Sequence, residues 1–226
     1  MDYEIKGTVM PHLVIRLRQG EAVFTESGGM AWMDDGIEMK TSGRGGLGGM
    51  LGRALAGESM FLTTYTCEAP EALISFTVET PGGIVALDLQ AGQTVIAQKD
   101  AFMVADDSVT LAMHFQRKLG AGLFGGEGFI LQKLTGPGRA FLEIGGEVQE
   151  RLLSPGQILK VDPGHIAAMD PEVDFDIQMV KGVGNMLLGG EGLFLARLRG
   201  PGRVWLQTMP PSSLANALIP FLPKRN

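Results

Sequence analysis

Apolar positions in this chain fall in runs of about five to eight residues, each closed by Gly or Pro, with almost no helical periodicity. Segments such as HLVIRLRQ, IVALDLQ and VQERLLS are rich in branched apolar residues and run into Gly20-Glu21, Gly92-Gln93 and Gly156-Gln157, a turn signal. A second short run follows each turn, AVFTE, TVIAQ and ILKV, so each half-unit reads as a hairpin. Strands broken by turns every eight to twelve residues or so predict an all-β fold, a sandwich or a barrel.

The pattern also repeats. GGEGFILQKLTGPGRAFLEI, residues 125–144, is written again as GGEGLFLARLRGPGRVWLQT, residues 189–208, at an offset of 64. The same offset lays 81–106 over 145–170, and an offset of 72 brings 10–34 into the frame. Gly20, Gly92 and Gly156 then coincide, as do Asp34, Asp106 and Asp170. The expectation is a single compact unit of three repeated β-sandwich or double-stranded β-helix-like modules, 10–80, 81–144 and 145–209, followed by a tail over 210–226. A module of ~65 residues has a marginal core by itself, which favours a pseudo-threefold arrangement of the three. Gly136-Pro137-Gly138 and Gly200-Pro201-Gly202 place Pro second and Gly third, the chemistry of a type II turn. Helix is expected only over 49–57 and 212–222, the second capped by Ser212 or Ser213 and interrupted by Pro220.

Composition narrows the classes. The 33 glycines fit a turn-rich chain, and the net charge of -6 argues against a nucleic-acid partner held by phosphate neutralisation. From Lys181 onward six basic residues stand against Glu191 alone, so one end is basic on an acidic body. One cysteine, Cys67, allows no internal disulfide and reads as a small buried residue in a reducing compartment. The first residues, MDYEIKG, lack the layout of a signal peptide, and no run approaches the ~20 apolar residues that span a bilayer, so a cytoplasmic location is expected.

Candidate chemistry is sparse. Gly43, Gly45 and Gly48 form a G-x-G-x-x-G within the Gly-rich segment 43–57, but Gly120, Gly122 and Gly125 repeat it without the Lys of a phosphate loop, so it reads as an inter-strand connection. Glu58, Glu127 and Glu191 share one phase of the repeat and offer a candidate cation site, with hydrogen bonding to their own Gly-rich turns as the plainer role. Arg139 and Arg203, after the Gly-Pro-Gly turns, offer guanidinium forks to an anion or a partner, or else solvate hairpin ends. Trp32 and Trp205 suit packing or association. His12, His114 and His165 share no phase, and no G-x-S-x-G occurs, so no catalytic, cofactor or metal residues are assigned. The tail MPPSSLANALIPFLPKRN is apolar with a basic end, suited to packing on the body, to a partner chain or to anionic lipid.

GESMFLTTYT, the AGQ and PGQ turns, DPGHIAAM and the twice-written GGEG and GPG together resemble the bacterial and mitochondrial family named for altered inheritance of mitochondria protein 24, over roughly residues 3 to 222. The resemblance implies a fold like that of the tryptophan RNA-binding attenuation protein and implies no enzyme. Its mitochondrial members are associated with inner-membrane organisation, which implies a scaffold or membrane-adjacent role. The function expected is a non-enzymatic interaction or scaffold protein, peripheral to membrane or self-associating as a homo-oligomer. The alternative is a small-molecule-binding or cupin-like metalloenzyme, which would need a deep polar pocket.

Overall fold

The computed structural model, which describes residues 2–26, 28–43, 61–117, 128–179 and 194–222, is built almost entirely from antiparallel strands, as the short apolar runs predict. The first segment holds β1 to β7: Asp2–Lys6, His12–Arg18, Ala22–Thr25, Met30–Met33, Ile37–Gly43, Phe61–Cys67 and Glu71–Thr77. The second holds β8 to β13: Gly82–Leu89, Thr94–Gln98, Phe102–Asp106, Thr110–Arg117, Phe129–Thr135 and Gly138–Gly145. The third holds β14 to β19: Val148–Leu153, Ile158–Val161, Ile166–Met169, Asp174–Met179, Phe194–Arg199 and Gly202–Gln207. Helix α1, Pro211–Leu218, follows.

These strands form four open sheets and no closed barrel, in the orders β1-β2-β7-β4, β5-β6-β3-β10-β13-β8, β11-β12-β9-β16-β19-β14 and β15-β18-β17. Each six-stranded sheet takes three strands from one segment and three from the next. The seams are β3 with β10, where Phe24 faces Ala105, and β9 with β16, where Ile96 faces Met169. Phe24 and Ile96 lie 72 residues apart, and Ala105 and Met169 lie 64 apart, so the offsets of the sequence repeat reappear as one register at both joints. A bulge recurs in the same frame, between Met30 and Trp32, Phe102 and Val104, and Ile166 and Ala168. Two of the joints that a threefold arrangement would contain are thus made within the chain. Among the described residues β4 and β15 each close a sheet as an edge.

Sharing a sheet makes it two-sided. In β3, Val23 packs with Leu13, Ile15 and Ile74 of the first segment, while the next residue, Phe24, packs with Leu89, Val95 and Leu134 of the second. In β9, Val95 stays in its own core while Ile96 enters that of the third segment with Phe129 and Val204. Successive side chains of a strand point to opposite faces, which is why these joint strands read as unbroken apolar runs rather than alternating ones.

Four local expectations are revised. The expected hairpins are instead corners between sheets: β2 and β3, β8 and β9, β14 and β15, β12 and β13, and β18 and β19 pair with other strands and not with each other. At these corners β12 ends at Thr135 and β13 begins at Gly138, so Pro137 takes the third turn position, not the second, and the Gly136-Pro137 and Gly200-Pro201 peptides are cis. Helix α1 starts from Pro210 and Pro211 rather than a serine cap, with Pro at the first helical position, where no N–H is needed, and Ile219–Phe221 continues it as a short 3₁₀ turn around Pro220. The tail also packs little on the body, since no residue of α1 is buried. The helix expected over 49–57 lies outside the described residues.

Candidate functional site

The repeated aspartates turn out to clamp neighbouring strands of a sheet. Asp106 Oδ2 accepts from the Arg139 N–H at 2.8 Å, Asp170 Oδ2 from Arg203 N–H at 2.7 Å and Asp34 Oδ2 from Leu73 N–H at 2.9 Å. Each joins the end of one strand, β4, β10 or β16, to the first residues of the strand paired with it, β7, β13 or β19. Burial pushes the Asp106 carboxyl up, against the Arg139 N–H bond and guanidinium charge that pull it down, and its Oδ1 is buried without a hydrogen-bond partner among the described residues.

Arg139 and Arg203 stand after the turns as the sequence places them, and their guanidiniums meet acids of the adjoining strand. Arg139 Nε donates to Asp88 Oδ1 at 2.9 Å and the group lies 5.2 Å from the Tyr3 ring centre. Arg203 Nε lies 3.2 Å from Glu150 Oε1, and its guanidinium is 5.4 Å from the Trp205 ring centre. Exposed pairs of this kind are worth about 0–1 kcal/mol, so they organise a surface more than they stabilise it.

One feature the sequence reading missed lies where the segments converge, around a cavity of about 400 Å³. Glu26 and Glu79 from the first segment, Lys99, Asp100 and Glu143 from the second and Gln207 from the third line it. Glu143 and Gln207 occupy one phase of the repeat, in AFLEI and VWLQT, and each accepts a main-chain N–H of the preceding segment. The Glu79 N–H donates to Glu143 Oε2 at 2.8 Å, and the Gly145 N–H donates to Gln207 Oε1 at 3.0 Å. Gln207 also donates through Nε2 to the Gly164 carbonyl at 2.8 Å, whereas Glu143 as a carboxylate has no proton to donate. Burial raises the Glu143 carboxyl to about 7; the Glu79 N–H opposes the rise, and the charges of Glu79 and Asp100 add to it. A polar residue at the same phase of two otherwise apolar strands was the signal available in the sequence.

Behind this cavity two buried amides brace its acids. Gln98 Nε2 donates to Asp100 at 3.0 Å and Gln132 Nε2 to Glu26 at 2.8 Å, and both glutamine carbonyls are buried without a partner among the described residues.

Of the other candidates, Glu58, Glu127 and Glu191 lie outside the described residues, as does most of the Gly-rich segment 43–57. The histidines are not brought together, and His165 Nδ1 lies 2.7 Å from the Gln207 carbonyl. Among the described residues no group of three or more His, Cys, Asp or Glu is placed to hold a metal ion. Cys67 is buried, its thiol directed to the Ala69 carbonyl at 3.2 Å. Trp205 is buried, whereas Trp32 is 43% exposed on β4. No helix among the described residues is long and apolar enough to cross a membrane.

Comparison with known proteins agrees with this architecture along the whole chain. An uncharacterized protein of Streptococcus pyogenes serotype M6 is 30% identical over 221 residues, covering 94% of this chain and 87% of its own length. A crystal structure of a Streptococcus pyogenes protein superposes with a TM-score of 0.79 at 26% identity, covering 98% of this chain and 99% of that one. The family described as Mitochondrial biogenesis AIM24 matches residues 3–209, every strand from β2 to β19 included, and the chain belongs to that family.

Proposed function

We propose that this chain is a non-enzymatic interaction protein that docks peripherally on an anionic membrane surface through its C-terminal segment. One observation carries the reading: the segment is apolar and, over 215–222, exposed. Leu214, Leu218 and Phe221 recur at helical spacing, no residue of α1 is buried, and Leu218 and Phe221 are 51% and 84% exposed. Lys224 and Arg225 follow in the sequence, and basic residues beside an apolar helical face suit anionic lipid. Flotation with vesicles of anionic or neutral phospholipid tests it. The full chain should float with anionic vesicles, and a chain lacking 210–226 should stay behind; equal behaviour of the two chains would sink the reading.

The division into three units at 10–80, 81–144 and 145–209 belongs to the same proposal and is supported by the recurring registers and bulges. So does kinship to the attenuation-protein fold, which brings no RNA binding with it, because function rests on sites rather than folds. A second reading, a small-molecule binder, is favoured by the convergent cavity, whose volume and few clustered ionisable groups suit a compact ligand.

A further inference from the structure

The two internal joints use up two kinds of strand edge. β3 and β9 supply one kind, β10 and β16 the other, and each pairing buries both partners. One edge of each kind is left at the sheet ends among the described residues: β4, in the phase of β10 and β16, and β15, in the phase of β3 and β9. Burial separates them sharply. Phe102 to Ala105 and Ile166 to Met169 are buried throughout, whereas in β4 Met30 and Met33 are half-buried and Ala31 and Trp32 are exposed. Ala31 and Trp32 take the phases of Met103 and Val104, and of Ala167 and Ala168, which in the joints pack into the core of the neighbouring segment. β4 therefore displays joint residues without the strand that covers them.

We propose that β4 is a strand-addition site that takes an extended apolar segment of another protein, antiparallel, in the register in which β3 meets β10. In that joint the Thr25 hydroxyl donates to the Met103 carbonyl at 2.6 Å and the Asp107 N–H to the Ala22 carbonyl at 3.0 Å. The matching main-chain groups at β4 are the Ala31 carbonyl and the Asp35 N–H. Facing Ala105 and Met169 in the joints are Phe24 and Ile96, both buried, so the incoming segment carries a large apolar or aromatic side chain opposite Met33.

The chain's own β15 is the wrong occupant. At the phase of Phe24 and Ile96 it carries Lys160, which is exposed, and docking would place an ammonium in an apolar core at a desolvation cost. A charge on the face that would be buried is how edge strands are kept from pairing. This selects a different protein over a second copy. It uses residues other than 211–222, so loss of the tail leaves it standing.

A fluorescent peptide of residues 21–26, EAVFTE, titrated into the full chain and read by anisotropy, tests it. Its counterpart with Lys in place of Phe should bind at least tenfold more weakly, and Trp32→Lys in the protein should abolish binding of either while the circular dichroism stays unchanged. No binding of EAVFTE, equal binding of both peptides, or binding unaffected by Trp32→Lys overturns the site. Lys160→Ile provides a readout free of peptides. It should turn a chain that does not pair through these edges into one that associates head to tail with rising concentration in sedimentation, reversed by adding Trp32→Lys. A Lys160→Ile chain that fails to associate, or an unsubstituted chain that already pairs β15 with β4, overturns the choice of partner.

Discussion

Asp34, Asp106 and Asp170 each extend a strand pair by one carboxylate oxygen, accepting an N–H near the start of the neighbouring strand β7, β13 or β19. Removing the acceptor strands a part-buried N–H, which costs about 1–3 kcal/mol. Asp106→Ala should therefore lower the thermal midpoint by several degrees, and Asp106→Asn, which keeps an acceptor oxygen, should recover much of the loss. Glu143 governs pH dependence instead. Its folded value of about 7 lies above the 4.5 of an unperturbed glutamate, so the folded state holds the proton more tightly. The stability it adds is complete below pH 4.5 and is lost as pH rises through about 7, at about 1.4 kcal/mol per unit before solvent screening. Unfolding midpoints measured from pH 4 to 8 should fall across that window, and Glu143→Gln, matching Gln207, should flatten the fall.

At the level of strands and turns, the strands were legible because Gly and Pro punctuate short apolar runs, and the equivalence of Asp34, Asp106 and Asp170 was legible because repeated contacts keep repeated residues. The pairing of the strands was not legible, because the turns that read as hairpins pass the chain from one sheet to another, and the sequential strands that do pair within the repeated units are β5 with β6, β11 with β12 and β17 with β18. What could not be read was which polar residue faces inward. Glu143 sits in AFLEI as innocuously as Glu150 in VQERLL, and only the packing of β13 against a neighbouring segment makes one half-buried and the other exposed. Turn position failed for a similar reason: Gly-Pro-Gly fits two frames, and strand pairing of Gly138 with Leu89 chooses between them. The serine cap of α1 gave way to Pro210-Pro211, whose fixed backbone already starts a helix. Close approach of elements leaves its own mark at Gly145, whose N–H is bonded to Gln207 and whose added Cβ would meet the Met209 carbonyl. Gly145→Ala should destabilise by about 1–3 kcal/mol, seen as a lower denaturant midpoint with an unchanged slope.

Across the whole molecule, the shared sheets couple the segments. Phe24 belongs by sequence to the first segment and by packing to the core of the second, against Phe102 at 5.7 Å between ring centres. Phe24→Ala should cost about 3–5 kcal/mol, and hydrogen exchange should quicken in β9 and β12 as well as in β3. Local damage that stayed within residues 10–80 would show the segments to be energetically separate.

The joints also bear on what the covalent chain is for. Phe24 meets Ala105 through strand edges and side chains, not through the peptide link between Thr80 and Pro81. Cutting that link would leave two pieces that each carry the other's recognition surface, one presenting the edge of β3 and the other the edge of β10. The linkers fix the order of the pieces and hold them at high effective concentration, while the contact itself is written in the strands.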